Sequence, residues 1–366
     1  TKEGKFSDAT ACGNETASER PMFRKFMIES MKYWVQEYHV DGFRIDLMGV
    51  HDIETINKLS KELHKIKPDI LLYGEGWTAG ASPLPDSQRA LKDNAAKLDR
   101  IAVFSDDIRD GIKGSVFNHD EKGFASGQPG TDESIRFGIT AACPHPQVDY
   151  TKVNYSKAAY AAQPYHTVSY CECHDNHTLW DKLTISAKTA TEEERKSMHQ
   201  LALSIVLTSQ GISFLHAGTE FLRNKKGVEN SYNSPDIINA IDWNLKTTNK
   251  AVFEYVKALI KMRKEHPAFR MTDAKSVKEN ISFLDISVPG FIVYEINGAA
   301  VNDKWKTIRV YLKKKKEKRR IKLLGGWKQF VHNYKVAPFT DEDSPVPGLL
   351  KSVEMNPFSC TILYQE

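Results

Sequence analysis

Short apolar runs of strand character alternate with helical patterns up to about residue 271, and this alternation constrains the fold more than any other feature. The helically spaced "ERPMFRKFMIESMKYWVQEY" leads into "DGFRIDL", and "HDIETINKLSKELHKIKP", ended by Pro68, leads into "DILLYGEGW". "RIAVFSDDIRDGIKG" and "YHTVSYCECHDN" supply two further strands. "TEEERKSMHQLALSIVLTSQ" opens on a Thr cap with an acidic first turn, then shows an apolar stripe. "GISFLHAGTEF" is the next strand, and "KAVFEYVKALIKMRKEHPAF" is a helix stopped near Pro267. Repeated strand-then-helix units imply a parallel sheet. From residue 272 the pattern changes to short alternating strands between Gly, Pro and Asn: "SFLDISV", "GFIVYEING", "TIRVYL" and "CTILYQ".

Polar residues gather at the C-terminal ends of the five parallel strands, the end from which (β/α)8 barrels build their sites. The expected class is therefore α/β: residues 1–271 as the C-terminal part of a (β/α)8 TIM barrel, followed by an antiparallel β-sandwich domain over 272–366. Five strands cannot close a barrel, and an opened one leaves unpaired edges, so the chain reads as part of a longer one.

The net charge of +4 is too near balance to suggest a nucleic-acid partner. "KKKKEKRR" (Lys313 to Arg320) follows "TIRVYL" and reads as a solvated hairpin loop or edge before a polyanion site. No apolar run is long enough to span a bilayer, and the N-terminus does not resemble a signal peptide. The five cysteines (Cys12, Cys143, Cys171, Cys173, Cys360) include no C-x-x-C pair. They are expected as free, mostly buried thiols, which fits a reducing compartment without assigning one.

"YHVDGFRIDLMGV" places charge inside a strand. Side chains alternate there, so Phe43, Ile45 and Leu47 share one face while Gly42, Arg44 and Asp46 share the other. A buried charged pair rarely gains stability over an apolar one, so stability alone is a poor reason for it. Two more acids end strands: Glu75 in "YGEGW", where Gly74 and Gly76 leave room for a ligand, and Asp175 in "CECHDN". Such a set suits glycosidic cleavage, in which one carboxylate attacks the anomeric carbon and a protonated one serves the leaving oxygen. Asp46 fits the nucleophile, because neighbouring Arg44 favours its ionised form. Glu75 fits the acid/base, with Trp77 and the glycines giving it a less polar setting. Asp175 and His174 hold sugar hydroxyls and stabilise cationic charge, which requires the strand to break at His174. Trp77 and Trp180 are candidates for stacking on sugar faces. Asn176, Asn233 and Asp236 are candidates for outer contacts. Asp106, Asp107 and Arg109 read as an ion pair that shapes the rim. A metal site of His174, Asp175 and His177 matches no strong ligand spacing, so no metal ligand is assigned.

"DGFRIDLMG", "YGEGW" and "CECHDNHTLWDKL" resemble the second, third and fourth conserved regions of the α-amylase family of glycoside hydrolases. The wording is closest to type I pullulanases, the α-1,6-glucan debranching enzymes. "FSDATACGNETASERP", "RIAVFSDDIRDGIKGSVF" and "NSYNSPDIINAIDW" look like the same subgroup. The resemblance implies Asp46 as nucleophile, Glu75 as general acid/base and Asp175 as transition-state stabiliser, with Arg44 and His174 as companions. It implies a retaining mechanism on branch linkages of pullulan, amylopectin, glycogen and limit dextrins, with carboxyl groups about 5–5.5 Å apart. No cofactor is required; a structural calcium is allowed, although no calcium-loop signature is visible. The alternatives are an isoamylase-like or α-1,4-acting relative, or a non-catalytic glucan-binding one.

Two family features are missing. The first conserved region does not precede "DGFRID", and Asn118-His119 lies past the nucleophile, after the third strand. The upstream "YNWGYDP" motif is absent as well. The resemblance therefore implies that these are about strands 4 to 8. It further implies that the N-terminal part of the enzyme was cleaved away or is a separate associated chain, and that this chain alone is inactive.

Overall fold

The computed structural model describes residues 4–337 and 350–366. The helix α1 (Pro21–Tyr38) starts on a proline whose missing N–H costs nothing there, and ends on His39 in the left-handed region at φ 56°. It delivers the chain to β1 (Gly42–Ile45). Next comes α2 (Ile53–Ile66), which starts where the Asp52 carboxylate accepts from Thr55 N at 2.8 Å. It leads to β2 (Leu71–Gly74). The strand β3 (Ala102–Phe104) runs into α3 (Asp106–Lys113) and then α4 (Asp132–Ile139). After β4 (Thr167–Ser169) come α5 (Leu179–Ser186) and α6 (Glu192–Thr208), then β5 (Ile212–Ser213). At the start of α6 the expected Thr191 cap is a full capping box: Thr191 Oγ1 accepts from Glu194 N at 3.2 Å, and Glu194 accepts from Thr191 N at 2.9 Å. Short α7 (Asp236–Asn239) and α8 (Asn244–Thr248) precede α9 (Lys250–Glu265) and α10 (Ala274–Asn280).

The five strands form one parallel sheet in the order β1-β2-β3-β4-β5. Central β3 and β4 are buried throughout, whereas the edge strands β1 and β5 are only half-buried. Beside the β1 edge, α1 leaves Met22, Phe26, Tyr33, Trp34 and Tyr38 exposed. The strands are shorter than their apolar patterns suggest. Beyond Ser169 and Ser213 the backbone becomes irregular, and this is where side chains turn toward a common cavity.

The second sheet is antiparallel, built from β6 (Ile281–Leu284), β7 (Phe291–Asn297), β8 (Thr307–Lys313), β9 (Arg319–His332), β10 (Lys335–Val336), β11 (Leu350–Met355) and β12 (Ser359–Gln365). Its order is β10-β9-β12-β8-β7-β6, with β11 on β9. The fourteen-residue β9 serves two ladders: residues 319–327 pair with β11, and 328–332 pair with β12. One apolar core runs through both sheets without a break near residue 271. Tyr294 and Tyr334 fasten the antiparallel sheet to α6 by donating to the carbonyls of Thr208 (3.2 Å) and Ser197 (2.6 Å).

The basic run forms the β8–β9 turn as expected, except at its start. Lys313 and Lys314 are buried: Lys313 donates to the Asn356 carbonyl at 3.1 Å and Lys314 to that of Gln128 at 3.0 Å. Burial lowers the Lys313 pKa to about 8. All five cysteines are free thiols, with Cys12 exposed and Cys143, Cys171 and Cys360 buried. Among the described residues, no helix is long and apolar enough to cross a membrane.

Candidate active site

A cavity of about 610 Å³ opens at the C-terminal ends of the parallel strands, lined by Arg44, Glu75, Trp77, His174, Asp175 and Asn176 among others. Its geometry starts at the end of β1, where Leu47 adopts φ 39° and turns the chain out of the strand. That turn leaves Asp46 just past β1 and directs the Leu47 amide to Glu75 Oε2 at 2.8 Å. Arg44 completes the group. Its Nη1 pairs with Asp46, and its Nη2 lies 2.8 Å from Glu75 Oε1. One guanidinium fork thus holds two acids from adjacent strands.

The two acids differ in setting. The Glu75 side chain is 9 % exposed and lines the cavity, whereas that of Asp46 is 72 % exposed and stands outside the lining, tied to it through Arg44. Burial raises the Glu75 pKa above its ordinary value; the Leu47 amide and Arg44 oppose this, and the negative charges of Asp46 and Asp175 reinforce it. Across the cavity, β4 has ended at Ser169, so His174 and Asp175 escape strict alternation and both face in, His174 Nε2 lying 3.4 Å from Asp175 Oδ1. Asn176, at φ 60°, receives the side-chain oxygen of Asn230 on its amide at 2.9 Å.

Several expectations require correction. Gly74 and Gly76 do not make room for a ligand. A Cβ on Gly74 would stand 2.7 Å from Ile45 O, and one on Gly76 would stand 2.6 Å from Lys92 N, so neighbouring backbone demands both glycines. Trp180 is outside the cavity lining. The Thr178 cap fixes the start of α5 so that Trp180 packs on the core, with its ring 6.1 Å from that of His199. Asn233 and Asp236 are exposed and also outside the lining. Ser231 and Asn239 cross-link their loop at 2.7 Å, and the residue it presents to the cavity is Asn230.

The rim acids pair differently from the expected partnership with Arg109. Lys92 bonds both Asp106 and Asp107, the latter at 2.9 Å, whereas Arg109 bonds Asp110 and the Tyr170 hydroxyl at 3.0 Å. Burial works against the Lys92 charge, but the two carboxylates outweigh it and raise its pKa.

The sequence reading missed the cavity floor. Tyr73, Phe104, Tyr170 and Phe214 form a layer of touching rings, with Phe104 4.8 Å from Tyr170 and 5.5 Å from Tyr73 and Phe214. Each comes from one of β2 to β5 or the residue just after it. One aromatic residue at the end of each successive strand was the available signal.

No family model matches the chain. A pullulanase of Bacillus subtilis is 39% identical over 304 residues, covering 83% of this chain and 41% of the relative. The chloroplastic pullulanase 1 of Arabidopsis thaliana is 33% identical over 333 residues, covering 77% and 34%. The solved type I pullulanase of Bacillus subtilis, complexed with maltose, superposes over 100% of this chain and 49% of its own, with a TM-score of 0.91 and 35% identity. A pullulanase from Bacillus acidopullulyticus gives 0.88 and 37%, over 100% of this chain and 43% of its own. The chain spans less than half the length of these relatives. In sequence and fold together, over the region it spans, this chain belongs to the pullulanases of the α-amylase family.

Proposed function

We propose that this chain carries the catalytic carboxylates of a retaining glycoside hydrolase that cleaves α-1,6-glucosidic branch linkages in pullulan, amylopectin, glycogen and limit dextrins. The observation that carries this reading is that Arg44 lines one cavity with Glu75, Asp175 and His174 and pairs with both Glu75 and Asp46. Ionised Asp46 attacks the anomeric carbon while protonated Glu75 gives its proton to the departing glycosidic oxygen. Glu75, now a carboxylate, then takes a proton from water, which attacks the same carbon and frees Asp46. Two inversions give net retention. The raised Glu75 pKa supports the acid role, because the proton must be held until the bond breaks. Asp175 and His174 bind sugar hydroxyls and stabilise the cationic transition state. Trp77 and the aromatic floor offer flat apolar faces to glucose rings. The maltose in the solved Bacillus subtilis relative supports a glucan substrate.

The parallel sheet is read as about strands 4 to 8 of a (β/α)8 barrel, and the two ladders sharing β9 as a β-sandwich. A barrel closes only when both edges find partners, so strands outside these residues, in a preceding segment or an associated chain, complete it.

Pullulan tests the reaction, because α-1,6 cleavage releases maltotriose. With the barrel completed, maltotriose release that falls about 10⁴-fold in Asp46→Asn sustains the reading. Products of α-1,4 cleavage assign the chain to the alternative specificity, and equal turnover by wild type and Asp46→Asn overturns the hydrolase reading. This chain alone is expected to be silent, and robust turnover without further strands contradicts the need for them.

A further inference from the structure

Beside the cavity a second cluster of reactive side chains stands outside the chemistry described above. His119, His177 and Glu229 bring potential ligand atoms within 4.8 Å of one another. His119 Nε2 lies 3.0 Å from Glu229 Oε2, and the two imidazoles meet at right angles with centroids 4.6 Å apart. His177 is buried, with Nε2 3.2 Å from the Gly227 carbonyl. A ring nitrogen committed to a backbone carbonyl fixes the tautomer and leaves the other nitrogen to coordinate, as metal-binding histidines commonly do.

The backbone under these groups is held in place. The Lys182 ammonium is buried and donates to the carbonyls of Ser115, Asn118 and His119 at 2.8, 2.6 and 3.0 Å, fixing the loop that presents His119. The Asp181 carboxylate accepts from the amides of Lys225 and Gly227 at 2.7 and 3.0 Å, fixing the loop that presents Glu229. Lys113 donates to the His177 carbonyl at 3.3 Å. Glu229 divides its oxygens, with Oε2 toward His119 and Oε1 3.4 Å from Asn176 Nδ2.

We propose that His119, His177 and Glu229 bind one divalent transition-metal ion of the zinc type, with the fourth position open to water. Two imidazoles and one carboxylate form a borderline-soft donor set of the kind zinc takes. Bonds of about 2.0–2.2 Å call for ligand atoms roughly 3.4 Å apart in a tetrahedral site. The ligand atoms now lie within 4.8 Å of one another, so side-chain rotation has to close the remainder. Each ligand is within two residues of a cavity-lining residue: His119 of Phe117, His177 of Asn176 and Glu229 of Asn230. The ion therefore clasps three rim segments together. Its binding needs no glucan, so failure here leaves the hydrolase reading intact.

Cobalt(II) is the probe, titrated into tag-free chain and followed by its visible absorption. The expected result is one saturable ion per chain, displaced by zinc, with affinity lowered at least tenfold in His119→Ala and Glu229→Gln. Zinc should also raise the melting temperature of wild type and not of His119→Ala. Because His119 is exposed, melting without metal verifies that this variant folds. Absence of saturable binding overturns the proposal, and so does equal binding by wild type and both variants. Loss of the signal in His174→Ala but not in His119→Ala also overturns it, by assigning the ion to the cluster of Cys173, His174 and Asp175.

Discussion

The Glu75 and Asp303 side chains are both nearly shut off from solvent, at 9% and 0% exposure, yet the molecule treats the two carboxylates oppositely. Asp303 lies in the connection between β7 and β8, and fixed donors occupy both of its oxygens. His266 Nδ1 and Trp305 N approach Oδ1 at 2.6 and 2.9 Å, and Ala268 N approaches Oδ2 at 3.1 Å. The His266 ring stacks on Trp305 with centroids 3.6 Å apart, so the group joins the end of α9 to the second sheet. Glu75 also accepts from a backbone amide and a guanidinium, but it borders the cavity, and burial outweighs its partners enough to raise its pKa. A saturated buried carboxylate fastens backbone; one with a strengthened hold on its proton beside open space is positioned for chemistry.

Amide substitution should therefore have opposite effects at the two places. Glu75→Gln is expected to lower maltotriose release about 10³-fold, the share of a positioned general acid/base. Its stability should move the other way. Because the folded-state pKa of Glu75 is raised above the ordinary 4.5, its contribution is complete below that value and is lost as pH rises through the folded pKa. Glutamine carries no such loss, so its melting temperature should gain on wild type as pH rises from the ordinary 4.5 through the folded pKa. A Gln variant that loses ground over that interval would refute the stated environment of Glu75. Asp303→Asn replaces an acceptor with a donor facing other donors, and should cost about 3 kcal/mol in urea unfolding while leaving turnover per folded molecule unchanged. Unchanged stability would show that filling the acceptors of Asp303 contributes nothing.

The same contrast explains what the sequence made legible. Local signals carried through: the Thr191 box starts α6, Pro267 stands where α9 has ended, and Asp46 and Glu75 follow directly on β1 and β2. Features set by distant segments did not. Gly74 and Gly76 answer to Ile45 and Lys92, and Lys92 reaches Asp106 and Asp107 across fourteen and fifteen residues. Buried parallel strands lack alternation, so nothing in the pattern sets Tyr73 and Phe104 apart, although they line the cavity. His177 was weighed with its sequence neighbours His174 and Asp175, whereas its spatial companions are His119 and Glu229.

Arg44→Lys tests how far the two acids act through their shared fork. A lysine is a point charge that cannot grip two carboxylates in a fixed plane. The expected loss in kcat/KM is about tenfold, near 1.4 kcal/mol. Its direction in pH is set by Coulomb's law. Arg44 favours ionised Glu75, so a weaker hold raises the Glu75 pKa further and moves the alkaline limb of the pH–activity profile upward. A limb that moves down, or a profile that only scales, would remove Arg44 from control of the acid.

The smallest effects are expected in the loop after β5, where residues three to six positions apart should behave differently. Asn233 and Asp236 are exposed and outside the cavity, so Asn233→Ala and Asp236→Ala should leave stability within about 0.5 kcal/mol of wild type and KM unchanged. Asn230 lines the cavity and its side-chain oxygen holds the Asn176 amide at 2.9 Å. Losing that bond should cost about 1 kcal/mol, a roughly fivefold rise in KM for pullulan at nearly constant kcat. Asn230 also sits at φ 48°, a conformation alanine tolerates poorly, so a purely structural loss has to be separated from a lost contact. Asn230→Asp makes that separation, because aspartate accepts the left-handed backbone and keeps an oxygen for the Asn176 amide. If Asp restores KM and Ala does not, the bond to Asn176 shapes the rim. If Asn233→Ala raises KM as much as Asn230→Ala, the exposed part of the loop reaches the glucan and the cavity extends farther than its lining residues indicate.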